Sequence, residues 1–104
     1  MGIVIPFRPR SGPWRPAETA SLAAIQRELD RHGLMTGHTQ GNDDSSRPWR
    51  AFYNRMTGQV VAIVSRSKAD YELLWADRTS ERVENMDELV LVARSWTARW
   101  HASA

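Results

Sequence analysis

Three histidines and two adjacent aspartates are the residues of this 104-residue chain whose types could do chemistry. His32, His38 and His101, gathered with Asp43 and Asp44, would supply imidazole and carboxylate donors to a first-row metal ion. Their spacing opposes this, because Gly33 breaks the chain between His32 and His38 and prevents them from sharing one helix face. The expected roles are a helix-end His32, stabilised as a cation by the helix dipole, a loop His38 and a tail His101. Asp43 and Asp44 lack the partners that acid–base work requires and read as part of a solvated loop. The chain has no cysteine, which removes disulfides and thiolate zinc sites. Gly37 and Gly41 lack the lysine and the preceding strand of a phosphate-binding loop. No serine stands in a nucleophile-elbow context. The residues therefore point to no catalytic group, no cofactor and no metal, and the expectation is a protein that is not an enzyme.

The second chemistry on offer is phosphate recognition. Basic residues number 14 and acidic residues 12, for a net charge of +2. All the basic residues but Lys68 are arginine, which binds phosphate and carboxylate through a planar fork. Residues 1–16 hold Arg8, Arg10 and Arg15 without an acid. Residues 47–68 hold Arg47, Arg50, Arg55, Arg66 and Lys68, again without an acid. Residues 70–88 reverse the balance with Asp70, Glu72, Asp77, Glu81, Glu84, Asp87 and Glu88. Such segregation either forms a patch or neutralises itself between neighbouring strands. Arg8, Arg10, Arg15, Arg50, Arg55 and Arg66 are the candidate phosphate contacts, with the hairpin in a major groove and the arm in a minor groove.

These residues need elements to hold them. Residues 1–15 contain most of the prolines and read as an extended arm, with Ile3–Ile5 able to add a short edge strand. Within the arm, RSGPWRP matches the R-x-x-P-x-x-P spacing of a polyproline ligand, although Pro16 also suits the first turn of a helix. Leu22, Ile25 and Leu29 at helical spacing predict a first helix over 17–32, stopped by Gly33. Residues 34–47 are polar and glycine-rich and read as a long loop, either mobile or functional. WRAFYNR and QVVAIVSR, joined by MTG, predict a β-hairpin with Gly58 in the turn. That turn would pair Tyr53 with Val61 and Ala51 with Ile63. A third strand follows in DYELLWAD at 70–77. Met86, Leu89, Val90, Ala93, Trp96 and Trp100 predict a second helix over 84–100.

The expected fold is α+β: a three-stranded antiparallel β-meander packed against two helices, in the order α-β-β-β-α, as a single domain over 16–104 behind the arm. This order resembles the double-stranded-RNA-binding domain in topology alone, since Glu84, Asp87 and Glu88 would repel phosphate at the start of the second helix. The expected core is Leu22, Ile25, Leu29, Ala51, Tyr53, Val61, Ile63, Leu89, Ala93 and Trp96. Trp49, Ala51, Tyr53, Val61 and Ile63 would line the covered face of the hairpin. The opposite face, with Phe52, Val60, Val64 and Leu74, is then too apolar to stay bare and becomes the candidate interaction surface. The expected function is a small protein-interaction or oligomerising domain whose partner is another protein or a second copy. The alternative is a nucleic-acid-binding regulator that uses hairpin 47–68 and the arm. No apolar run approaches the length of a membrane helix, and a soluble, cytoplasmic protein is expected.

Overall fold

The structure, a computed structural model, describes residues 10–31 and 33–102, with side chains through residue 97. Helix α1 (Pro16–Asp30) is followed by strands β1 (Thr36–Asn42), β2 (Pro48–Asn54), β3 (Val60–Arg66), β4 (Tyr71–Trp75) and β5 (Ser80–Val83), and then by helix α2 (Met86–Ala102). The strands form one antiparallel sheet in sequence order. The architecture is therefore α+β with five strands, where the sequence reading expects three.

Both extra strands come from segments that carry no strand-like hydrophobic pattern. Strand β1, TGHTQGN, occupies much of the expected loop 34–47, and the remainder of that loop is a tight turn in which Asp43 Oδ1 accepts from the N–H groups of Ser45 and Arg47. Strand β5, SERV, is short and charged. Each lies at a sheet edge, where backbone pairing with one neighbour holds a strand without an apolar side-chain set. The added strands also end the topological likeness to the double-stranded-RNA-binding domain.

The central elements match the expected ones. Proline at the first turn opens α1, and the Arg15 N–H donates to Glu18 Oε1 at 2.8 Å to close the helix start. Gly58 adopts φ 75° in the turn between β2 and β3, a conformation that favours glycine. Ala51 pairs with Ile63 as expected, but Tyr53 pairs with Val60 instead of Val61, because the register shifts at Phe52/Tyr53. Such a bulge places an extra residue in β3 and bends the hairpin.

Each of the four strand-to-strand connections reverses the chain, and α2 runs parallel to α1. Ser21 donates to Asp87 and Arg94 donates to Glu28, contacts that advance together along both helices. Glu18 in α1 and Asp87 and Glu88 in α2 place acid at the two N-termini, offsetting dipoles that point the same way.

Both helices cover the same face of the sheet. Leu22, Ile25 and Leu29 from α1 and Met86, Leu89 and Ala93 from α2 close over Phe52, Ala62, Val64, Leu73 and Trp75. Trp75 and Trp96 stack at 4.0 Å between ring centroids. The two hairpin faces are thus exchanged relative to the sequence reading. Phe52 and Val64, expected on the bare face, have no exposed surface. Tyr53 and Ile63, expected in the core, are only half-buried on the uncovered side, and Trp96 is half-buried. Leu22, Ile25, Leu29, Ala51, Val61, Leu89 and Ala93 are buried as expected. The hairpin alternation is apolar on both sides, so it fixes which residues share a face but not which face the helices take.

Candidate interaction surface

The uncovered face is built in cross-strand rows. One row runs Gly41–Trp49–Ser65–Glu72–Arg82 and the next runs Thr39–Ala51–Ile63–Leu74–Ser80. Tyr53 lies opposite Gly37 in the third. The glycines of β1 have a steric purpose here. A Cβ added to Gly37 would come within 2.6 Å of the Tyr53 ring, and one added to Gly41 within 2.7 Å of the Trp49 indole. Both rings therefore reach over the edge strand, against the glycine backbone, where an ordinary side chain would hold them off. Ala51, Ile63 and Leu74 continue the apolar strip between and beside them.

The charged side chains in these rows compensate one another. Arg82 contacts Glu72 at 3.2 Å and Asp70 at 3.2 Å. This face thus has aromatic groups over the β1 edge, aliphatic groups beside them, and at one corner a cluster in which Arg82 meets two carboxylates. Of the candidate interaction residues, Leu74 lies on this face and is half-buried, and Val60 is 44% exposed beside the bulge.

The arginines named as phosphate contacts are dispersed, and several hold the fold together. Arg66 is 2% exposed. Its Nε donates to Glu18 Oε2 at 3.0 Å, and one Nη2 hydrogen bond goes to Glu18 Oε1. The other Nη2 contact is the Pro13 carbonyl, while Nη1 donates to the carbonyls of Arg10 and Gly12. These contacts match the five N–H donors of a guanidinium, leaving none for a phosphate. Tyr71 Oη donates to Glu18 Oε2 at 2.6 Å and completes the cluster. Burial alone would raise the Glu18 carboxyl, but hydrogen bonds from Arg66, Tyr71 and the Arg15 N–H, with the Arg66 charge, hold it down at about 2. The same pairing raises the Arg66 guanidinium.

Arg10 donates to the carbonyls of Ser67 and Asp70 and lies 4.5 Å over the Tyr71 ring. Arg50 is buried on the helix side and donates to Gln40 Oε1 at 2.7 Å. Arg15 and Arg55 are exposed. Arg55 follows the end of β2 remote from Arg66, roughly 20 Å away at the usual rise per strand residue. Arg8 lies outside the described residues, as do Ile3–Ile5, whose expected edge strand is therefore not described. The polyproline-like stretch is not a free ligand, because the carbonyls of Arg10, Gly12 and Pro13 are the acceptors of Arg66.

Of the three histidines, only His38 has a described side chain. His38 Nδ1 lies 3.2 Å from Gln26 Oε1, and its ring meets the edge of Phe52. Burial, followed by the charges of Arg50 and Arg55, lowers its pKa. His32 and the His101 side chain lie outside the description. Among the described residues no three His, Asp or Glu side chains are grouped to hold a metal ion, and no helix is long and apolar enough to cross a membrane. Between the helices lies an open groove of about 470 Å³, lined by Ala17, Ala20, Ala24, Val90 and Leu91 with Asp87 at its side.

The aromatic platform and the Arg66 cluster escape sequence reasoning for different reasons. The alternation of Gly37 and Gly41 with polar residues was a visible signal once β1 is recognised as a strand. Nothing local in the sequence links Glu18 to Arg66. No family model, curated protein or solved structure matches the chain.

Proposed function

We propose that this chain is a small protein-interaction domain that docks a partner protein on the uncovered sheet face. The observation that carries this reading is the pair of rings, Trp49 and Tyr53, set over Gly41 and Gly37 beside Ala51, Ile63 and Leu74. Large aromatic groups beside an aliphatic strip, with the charges gathered at one corner, have the composition of an interface core with a polar rim. Both helices lie on the opposite face, and no described element covers this one.

The test is affinity capture from the source cells with the wild-type chain and with Ile63→Glu, after circular dichroism shows both to be folded. A partner retained by the wild type and lost by the variant supports the reading. Equal capture by both would overturn it. Single-stranded nucleic acid is the second reading, favoured by the same two rings, which could stack bases. Fluorescence anisotropy separates the two, because nucleic-acid binding would weaken steeply with added salt.

A further inference from the structure

The two edges of the sheet are unlike. Strand β5 has four residues, including Glu81 and Arg82, a length and charge that discourage pairing with another strand. Strand β1 has seven residues with no proline, lysine, arginine or carboxylate, and its pairing to β2 is regular from Thr36 to Asn42.

The direction of each backbone group in β1 follows from its flanking hydrogen bonds. The Arg55 N–H donates to Met35 O, and the Asp43 N–H donates to Arg47 O. Antiparallel pairs alternate between bonded and non-bonded positions, so Gly37, Thr39 and Gly41 turn their N–H and C=O groups towards β2. Thr36, His38, Gln40 and Asn42 turn theirs outward. Thr36 confirms this phase, because its N–H donates to Asp30 Oδ1 and its carbonyl accepts from Gln26 Nε2. Helix α1 thereby caps the first outward position. His38, Gln40 and Asn42 present the next three, and among the described residues none pairs their outward backbone groups.

We propose that this edge pairs antiparallel with the β1 edge of a second copy, about a twofold axis through Gln40, joining two five-stranded sheets into one. The spacing selects the occupant. With the axis at Gln40, His38 faces Asn42 of the second copy and Gln40 faces its counterpart, so every available outward group finds a bonded position. Shifting the axis to Thr39 would spend a position on Thr36, which α1 already holds. A symmetric contact sets like against like at its axis, and Gln40 is neutral and both donor and acceptor. Its Oε1 accepts from Arg50, leaving the amide N–H groups to donate across the axis. An unrelated peptide would gain nothing from this symmetry. The proposal concerns the sheet edge and does not depend on the reading of the uncovered face.

The test measures solution mass by sedimentation and maps the axis by crosslinking. The wild type is expected to reach twice its 11.9 kDa chain mass with rising concentration. Asn42→Pro, which removes an outward N–H from an exposed edge position, should weaken dimerisation at least tenfold while retaining the fold by circular dichroism. Gln40→Cys should form a disulfide-linked dimer on mild oxidation, because directly opposed bonded residues have Cα atoms about 5.5 Å apart. Asn42→Cys should not, since its counterpart lies several residues away along the strand. A wild type that stays monomeric at millimolar concentration would overturn the proposal. So would a dimer that tolerates Asn42→Pro but is lost in Ile63→Glu, a result that places self-association on the uncovered face instead. A monomer that adds a foreign peptide strand at β1 would likewise overturn it.

Discussion

The two faces of the sheet carry comparable apolar residues and differ in what those residues do. On the covered face, Phe52, Val64 and Leu73 are fully buried under two helices. On the other, Trp49, Tyr53, Ile63 and Leu74 are half-buried and lean on their own backbone and on one another. The covered face also contains the principal buried ion pair, Arg66 with Glu18, whereas the uncovered face keeps its charges at a solvated corner. The difference separates side chains that hold the fold from side chains available to a partner, although both sets alternate along the same strands.

Substitutions can sharpen that separation. Phe52→Ala should cost about 3–5 kcal/mol by chemical denaturation, because it empties a site closed on all sides. Ile63→Ala, across the pleat, should cost about 1 kcal/mol, since a half-exposed side chain buries less surface. Similar losses at the two positions would erase the distinction between the faces.

Glu18→Ala should cost about 3–5 kcal/mol, as it leaves the Arg66 guanidinium buried without its counter-ion. The same pair sets an acid limit. The Glu18 carboxyl sits at about 2 in the folded chain against an ordinary 4.5, so its contribution is complete above pH 4.5 and is lost as pH falls towards 2. Thermal unfolding of wild type across that range should show a decline that Glu18→Gln flattens.

Smaller effects belong to the uncovered face and its corner. Gly37→Ala should cost about 1 kcal/mol and lift the Tyr53 ring, which would increase tyrosine exposure to aqueous quenchers. Arg82→Ala should change stability by less than about 1 kcal/mol, because its direct contacts with Asp70 and Glu72 are made at an exposed site where water screens them.

The helices, the central hairpin and β4 were legible because their periodicities differ and the turn at Gly58 separates two strands. The edge strands were not, because β1 is held by backbone pairing and by rings that rest on its glycines, and neither leaves a hydrophobic pattern. The choice of face also lay beyond the sequence. Ala51 and Ile63 alternate as cleanly as Phe52 and Ala62, and what decides between them is the helix-side surface completed by Leu73, Trp75 and the Glu18 contact of Arg66. The arginines read as a basic set from their positions in the chain, but hydrogen bonding distributes them among carbonyls, Gln40 and carboxylates. Leu74 and Val60 lie away from the helices, while Trp49 and Tyr53 were assigned to the core because the face they share with Ala51, Val61 and Ile63 reads as the apolar one.

The Arg66 cluster also sets an order in time. Glu18 lies 48 residues before its partner, and the Arg10 carbonyl 56 residues before the same guanidinium. As the chain leaves the ribosome, residues 10–30 emerge before the strands, yet the group that fastens them is made much later. The β2–β3 hairpin closes a far shorter loop and is expected to form ahead of them. Helix α1, made before the sheet, is thus among the last elements secured, and substitutions in β3 should slow refolding more than equally destabilising ones at Leu22.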